Sequence, residues 1–161
     1  MESTFNLDEI KWFMQEAEKE ALKASDQGEV PVGAVIVTSN KEVIGMGHND
    51  KEFTKNPCGH AEVNAIIDAS KTVGDWRLNG SSIFVNLEPC IMCMGSIVHA
   101  RLDNVFFGAY DKKGGAISLG YQLFNDKRLN HNFNIYGGIN HFQNSKLLSD
   151  FFRSRRKAHS K

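Results

Sequence analysis

Three side chains of metal-ligating type stand at two points of the chain: the imidazole of His60 in His60-Ala61-Glu62, and the thiols of Cys90 and Cys93 in Pro89-Cys90-Ile91-Met92-Cys93. One imidazole and two thiolates suit zinc, and three protein ligands on a tetrahedral ion leave the fourth position to water. Zinc lowers the pKa of water in that position to about 7, so the set predicts hydrolytic chemistry and not only a structural staple. Glu62 adds a carboxylate two residues from the first ligand, the type of group that carries protons between water and a substrate.

Two other uses of this set need weighing. A Cys-x-x-Cys pair alone is shared by redox motifs and structural zinc sites. A redox pair needs no distant histidine, whereas a closed zinc site wants a fourth ligand. Cys58 is the one spare cysteine, and as a ligand it would remove the water position. Ligands only two residues apart strain the local geometry, so Cys58 is expected instead to be a small residue lining the site. Successive residues of a helix rotate by about 100°, so His60 and Glu62 cannot share a face of a regular helix. The motif is therefore placed at a helix start, with the zinc off that end. Cys90 and Cys93 are one turn apart just past Pro89, where the helix dipole and unpaired N–H groups favour both thiolates.

The elements that must hold these groups follow from periodicity. Asn6 and Glu9 form a capping-box pattern, and Ile10, Phe13, Met14, Ala17 and Ala21 recur on one face, predicting a helix from Leu7 to Ala24. Val32–Val37 and Glu42–Met46 flank Ser39-Asn40 and predict a hairpin. After a loop holding Pro57, a helix is expected from near His60 to Lys71. Ile83–Leu87 predicts a buried strand, with Pro89 in the first turn of a helix carrying Cys90–Ala100, then a strand at Val105–Phe107. Residues 111–134 predict a long loop with short helical pieces, Asn134–Tyr136 a short strand, and Leu147, Leu148, Phe151 and Phe152 the apolar side of a last helix. This order implies an α/β fold, with antiparallel pairing in the first hairpin and parallel crossovers after it.

At 161 residues with 41% apolar content, the chain is expected to form one domain over residues 1–161, with 152–161 the basic tail of the C-terminal helix. No run of eighteen uncharged apolar residues occurs and Met1-Glu2-Ser3-Thr4 does not open a secretory signal, so a cytoplasmic location with no membrane partner is expected. Three cysteines are too few and too odd for a disulfide framework. In a reducing compartment Asn79-Gly80-Ser81 is a turn, not a glycosylation site. The net charge is zero, but residues 1–30 hold eight acids and three bases while residues 101–161 hold eleven bases and four acids. Arg153, Arg155, Arg156, Lys157 and Lys161 crowd the end of the chain, either as a solvated helix tail or as a surface for phosphates.

His-x-Glu paired with Pro-Cys-x-x-Cys is the pattern of zinc-dependent nucleobase deaminases, and the chain resembles the cytidine deaminase-like superfamily and, within it, bacterial tRNA-specific adenosine deaminases. The resemblance rests on Glu29–Val35, His48-Asn49, His60–Glu62, Leu87–Cys93, Gly108–Asp111 and Leu147–Arg153 in family order, and it spans almost the whole chain. The Phe-Phe-Arg-x-Arg-Arg ending is similar to the tRNA enzymes in particular. It implies a three-layer α-β-α sandwich around a mixed five-stranded sheet. It also implies zinc on His60, Cys90 and Cys93, with Glu62 as proton shuttle, and a homodimer acting on a tRNA anticodon stem-loop. For substrate contacts it implies Asn49 on the extruded base, Val32 lining the pocket, Asp111 near the nucleotide backbone, and Phe152 and Arg153 beside the RNA. The chain departs from the family at Asp50, at Cys58-Gly59, at Met94-Gly95-Ser96 and at Gly115–Ser118. Gly45-x-Gly47 lacks the third glycine of a dinucleotide fingerprint.

The function this implies is hydrolytic conversion of wobble adenosine to inosine. The alternatives are a zinc-dependent deaminase of a free base or nucleoside, such as guanine or cytosine, and a non-catalytic zinc- or RNA-binding module.

Overall fold

The computed structural model describes residues 4–159; Lys161, counted above in the basic tail, lies outside the described residues. The first helix, α1 (Leu7–Asp26), starts where the sequence predicts: Asn6 Oδ1 accepts the Glu9 N–H and Glu9 Oε2 accepts the Asn6 N–H, each at 2.9 Å. Strands β1 (Gly33–Thr38) and β2 (Val43–His48) form the hairpin. A four-residue helix, α2 (Lys51–Thr54), then interrupts the expected loop. It is followed by α3 (Ala61–Val73), β3 (Ser81–Leu87), α4 (Ile91–Ala100) and β4 (Asn104–Ala109). Apart from a 3-10 turn at Leu123–Asn125, residues 111–133 form no helix or strand before β5 (Asn134–Tyr136) and α5 (His141–His159).

The five strands lie in the order β2-β1-β3-β4-β5, with β1 antiparallel to both β2 and β3, and β4 parallel to β3 and β5. The sheet is thus mixed, as expected. β1 and β3 are central and covered on both faces, which is why all but the last residue of each is buried and their middles, Ala34–Val37 and Ile83–Val85, are apolar without alternation. Ala34, Ile36, Ile83, Val85, Val105 and Phe107 pack in one core with α3 and α4. Val35, Val37, Phe84 and Phe106 pack in the other with Phe13, Met14 and Ala17 of α1. α5 docks beside α1 through the buried Glu18 carboxylate, which accepts from Asn140 (3.2 Å), Gln143 (2.9 Å) and Asn144 (3.1 Å), completing three layers.

Gly45 and Gly47 have a packing role: a Cβ at either would run into the α3 backbone at Ala69 and Ala65 or at Ala65 and Ala61. Their absence of side chains lets α3 lie directly on β2, which sets where the start of α3 falls relative to the sheet.

Candidate metal centre

α3 and α4 both begin at one end of the sheet, and their starting residues carry the metal-grade ligands. His60 is the N-cap of α3, with extended backbone (φ −97°, ψ 149°), so its side chain leaves the helix end while Glu62 sits in the first turn. That break in helical geometry resolves the rotation problem posed by two residues of spacing. Cys90 is likewise the N-cap of α4 (φ −73°, ψ 172°) and Cys93 lies in its first turn. Pro89 therefore precedes the cap, which corrects the expectation that it lies in the first turn; the extended residue is needed at Cys90 to bring both sulfurs to the same helix end.

His60 Nδ1 lies 3.7 Å from Cys90 Sγ and 3.5 Å from Cys93 Sγ, and the three ligand atoms fall within 4.8 Å of one another. Zinc bonds of about 2.3 Å to sulfur and 2.0 Å to nitrogen at tetrahedral angles span about 3.5 Å between ligands, so the donor set fits that ion. The cluster holds no other described residue. Cys58 is exposed, with its N–H on Asn56 Oδ1, and neither joins the ligands nor lines the cavity beside them. The expectation that it lines the site is corrected: the turn at Asn56–Gly59 carries its side chain away.

The electrostatics point the same way. Hydrogen bonding with Cys93 and with His60 pushes the Cys90 thiol down to about 4, against the opposing effect of burial. Cys93 is pushed up instead, by its bond to Cys90 and then by burial, so of the two thiolates expected at the helix start the metal-free chain holds one. Two sulfurs so close share a single negative charge, and a divalent ion is what allows both to ionise. His60 is raised, chiefly by its bond with Cys90. The Glu62 carboxyl, 4% exposed, is pushed up to about 7, above all by burial and further by the charge on Cys90.

Next to the ligands is a cavity of about 330 Å³ whose walls include Val32, Asn49, His60, Glu62, Cys90 and Asp111. Phe152 and Arg155 line it from α5. Asn49 Oδ1 accepts the Ala61 N–H at 2.9 Å, which fixes the amide against the start of α3. Val32 is held by Asn86, whose buried amide accepts from Gly33 N (2.9 Å) and donates to the Pro31 carbonyl (3.0 Å). Arg153 does not line this cavity; it lines an outer one together with Asp111 and Phe152, and pairs with Asp150 at 3.5 Å.

Glu88 is the residue that sequence reasoning missed. It is buried, and its carboxylate accepts from Asp111 N (2.9 Å), Ser118 N (2.7 Å) and Ser118 Oγ (2.6 Å). These bonds, with Ala116 N–H donating to the Pro89 carbonyl at 2.9 Å, fold the loop after β4 onto the start of α4. A Cβ at Gly115 would fall on the Glu88 carboxylate, so the glycine at this position keeps room for the tether. The available signal was an acid between the last residue of a buried strand, Leu87, and Pro89. Glu29, also buried, accepts the Phe53 N–H at 2.8 Å and ties α2 to the cavity rim.

The family model for the cytidine and deoxycytidylate deaminase zinc-binding region matches residues 7–109. The chain is 43% identical over 145 residues to a tRNA-specific adenosine deaminase of Bacillus subtilis (strain 168), covering 90% of this chain and 89% of that one. Its fold is similar to a structure solved in studies of A-to-I editing by tRNA:A34 deaminases at the wobble position of transfer RNA, with a TM-score of 0.80 and 35% identity over 85% of this chain and 99% of the other. It is also similar to a guanine deaminase from Bacillus subtilis, with a TM-score of 0.61 and 32% identity over 73% of this chain and 72% of the other.

Proposed function

The chain belongs to the zinc-binding cytidine and deoxycytidylate deaminase family, and within it we propose that the protein hydrolytically deaminates adenosine to inosine at the wobble position of a tRNA anticodon. The observation that carries this reading is the buried carboxyl of Glu62 beside, and not among, the three ligand atoms of His60, Cys90 and Cys93, in a cavity lined by aromatic and basic residues of α5. Likeness to tRNA-specific adenosine deaminases over nearly the full length of both chains supports the RNA substrate.

Zinc on His60, Cys90 and Cys93 would supply Lewis acidity that acidifies water. The chain's own residues handle the rest. Glu62 takes a proton from the water that adds to the ring carbon bearing the amine, delivers it to the neighbouring ring nitrogen, and passes a second proton to the amine, which leaves as ammonia. A carboxyl held near neutrality by burial can both accept and return protons at such a step. With Oδ1 committed to Ala61, Asn49 presents its amide N–H groups to the base. Val32 packs against the base and Asp111 meets the nucleotide backbone, with Phe152 and Arg153 contacting the RNA beyond the cavity.

An anticodon loop is single-stranded, so its base is extruded without breaking a duplex. The protein acts as one domain, a homodimer, in the cytoplasm; none of its described helices is long and apolar enough to cross a membrane. A second reading, deamination of a free base, is favoured by the likeness to guanine deaminase. Turnover by zinc-loaded protein on an anticodon stem-loop, compared with free adenosine, guanine and cytosine, separates the two. Inosine from the stem-loop alone is expected; efficient release of ammonia from a free base would overturn the RNA reading.

A further inference from the structure

The metal cavity adjoins an outer cavity of about 810 Å³, with Val30, Leu87, Asp111 and Phe152 in the walls of both. Its walls carry Tyr110 and Lys113 from the segment after β4, and Ser145, Ser149, Arg153 and Arg156 from α5. One turn before Ser145 the same face of α5 continues to His141, whose Nε2 lies 3.4 Å from Ser145 Oγ. There three rings adjoin at the surface, the planes of successive rings turned by 50° and 78°. Tyr110 meets His141 with centroids 5.8 Å apart, and His141 meets Phe142 at 5.5 Å. The row is anchored inward, where Tyr110 packs edge-on against Phe107 at 4.9 Å. The Tyr110 N–H donates to His141 Nδ1 at 3.4 Å, locking together two segments distant in sequence. Tyr110 is 48% exposed and Phe142 is 88% exposed.

So exposed a phenylalanine contributes almost nothing to the core, and neither His141 nor Phe142 has a part in the chemistry described above. Their neighbours decide what the rings could meet. A protein partner would favour an apolar centre depleted of charge. Here Tyr110 itself lines the wall that bears Lys113, Arg153 and Arg156, and aromatic faces beside cations match the bases and phosphates of a single nucleic-acid strand. We propose that Tyr110, His141 and Phe142 form a stacking ledge for unpaired nucleotides flanking the one held in the metal cavity. The proposal rests on the RNA reading of that cavity and extends it to where the strand runs.

The test is binding of a labelled anticodon stem-loop to zinc-loaded protein, by anisotropy over a range of salt. Loss of one base stack weakens single-strand binding about tenfold. Phe142→Ala is expected to show that loss, and Phe142→Trp to recover it. The slope of log affinity against log salt should not change in Phe142→Ala, because no phosphate contact is removed, whereas Arg153→Ala should lower it by about one. Thermal unfolding of Phe142→Ala should match wild type. Unchanged affinity in Phe142→Ala overturns the ledge, as does dissociation of an oligomer by that variant, which would assign the rings to a second copy of the chain. A wild type that binds the stem-loop without forming inosine refutes the deaminase reading while the Phe142→Ala comparison still decides the ledge; a wild type that binds no RNA overturns both.

Discussion

The buried carboxylate of Glu88 accepts the backbone N–H of Asp111 at 2.9 Å, tying the end of β3 to the loop that follows β4 across the mouth of the metal cavity. With the two bonds from Ser118, one side chain serves three donors. In Glu88→Gln an amide N–H must face one of them, and a buried donor left without an acceptor costs about 2 kcal/mol. The melting temperature should fall by roughly 5 °C, and inosine formation should drop with Asp111 loosened while zinc content holds. An unchanged melting temperature would contradict the tether.

Replacement of single cysteines should separate ligand from bystander. Cys90→Ser and Cys93→Ser each remove a thiolate from a three-ligand set and should lose zinc on gel filtration, measured by atomic absorption. Cys58→Ser should retain full zinc and activity, since its side chain is exposed and outside the cluster. Zinc loss in that variant would mean a fourth sulfur ligand.

Burial of Glu62 also makes metal-free protein sensitive to pH. Its folded pKa of about 7 is raised from 4.5, so the folded chain holds a proton that the unfolded chain releases. The stabilisation is complete below pH 4.5 and is lost as pH rises through about 7. In urea unfolding of chelated protein, wild type should weaken relative to Glu62→Gln across that window, by on the order of 3 kcal/mol. Parallel profiles would show that the carboxyl is not desolvated.

The departures at Asp50 and Gly59 are coupled in space. The Asp50 N–H donates to the Gly59 carbonyl at 3.1 Å, Asp50 Oδ1 accepts from Asn64 Nδ2 at 3.0 Å, and a Cβ at Gly59 would collide with that carboxylate. Gly59→Ala should push the turn that ends at His60 and lower activity, while Asp50→Ala in the same protein should recover part of it. Contacting residues couple by about 0.5–3 kcal/mol in such cycles; simple additivity of the two substitutions would refute the contact.

Much of this architecture was legible in the chain. The Asn6–Glu9 capping box, the β-branched runs of β1 and β3, and the demand that His60 sit at a helix start all follow from local geometry. α2 did not show itself: four residues are too few for a periodic signal, and it is held by Glu29 from a distant segment. Glu88 and Asn86 carry no mark of burial in their own types, because their partners come from other segments. Gly45 and Gly47 stood outside any motif until α3 was seen lying on them. His60, Glu62, Cys90 and Cys93 were accessible because ligand chemistry restricts residue type, whereas Arg155 at the inner cavity and Arg153 at the outer one differ only in helix rotation.

Zinc K-edge X-ray absorption of the zinc-loaded protein tests the central claim most directly, since everything rests on an ion with one position open to water. One nitrogen and two sulfurs are expected, with a single oxygen that exchanges with solvent and is unchanged in Glu62→Gln. A third sulfur, or an oxygen lost with Glu62, would close that position and contradict the hydrolytic site.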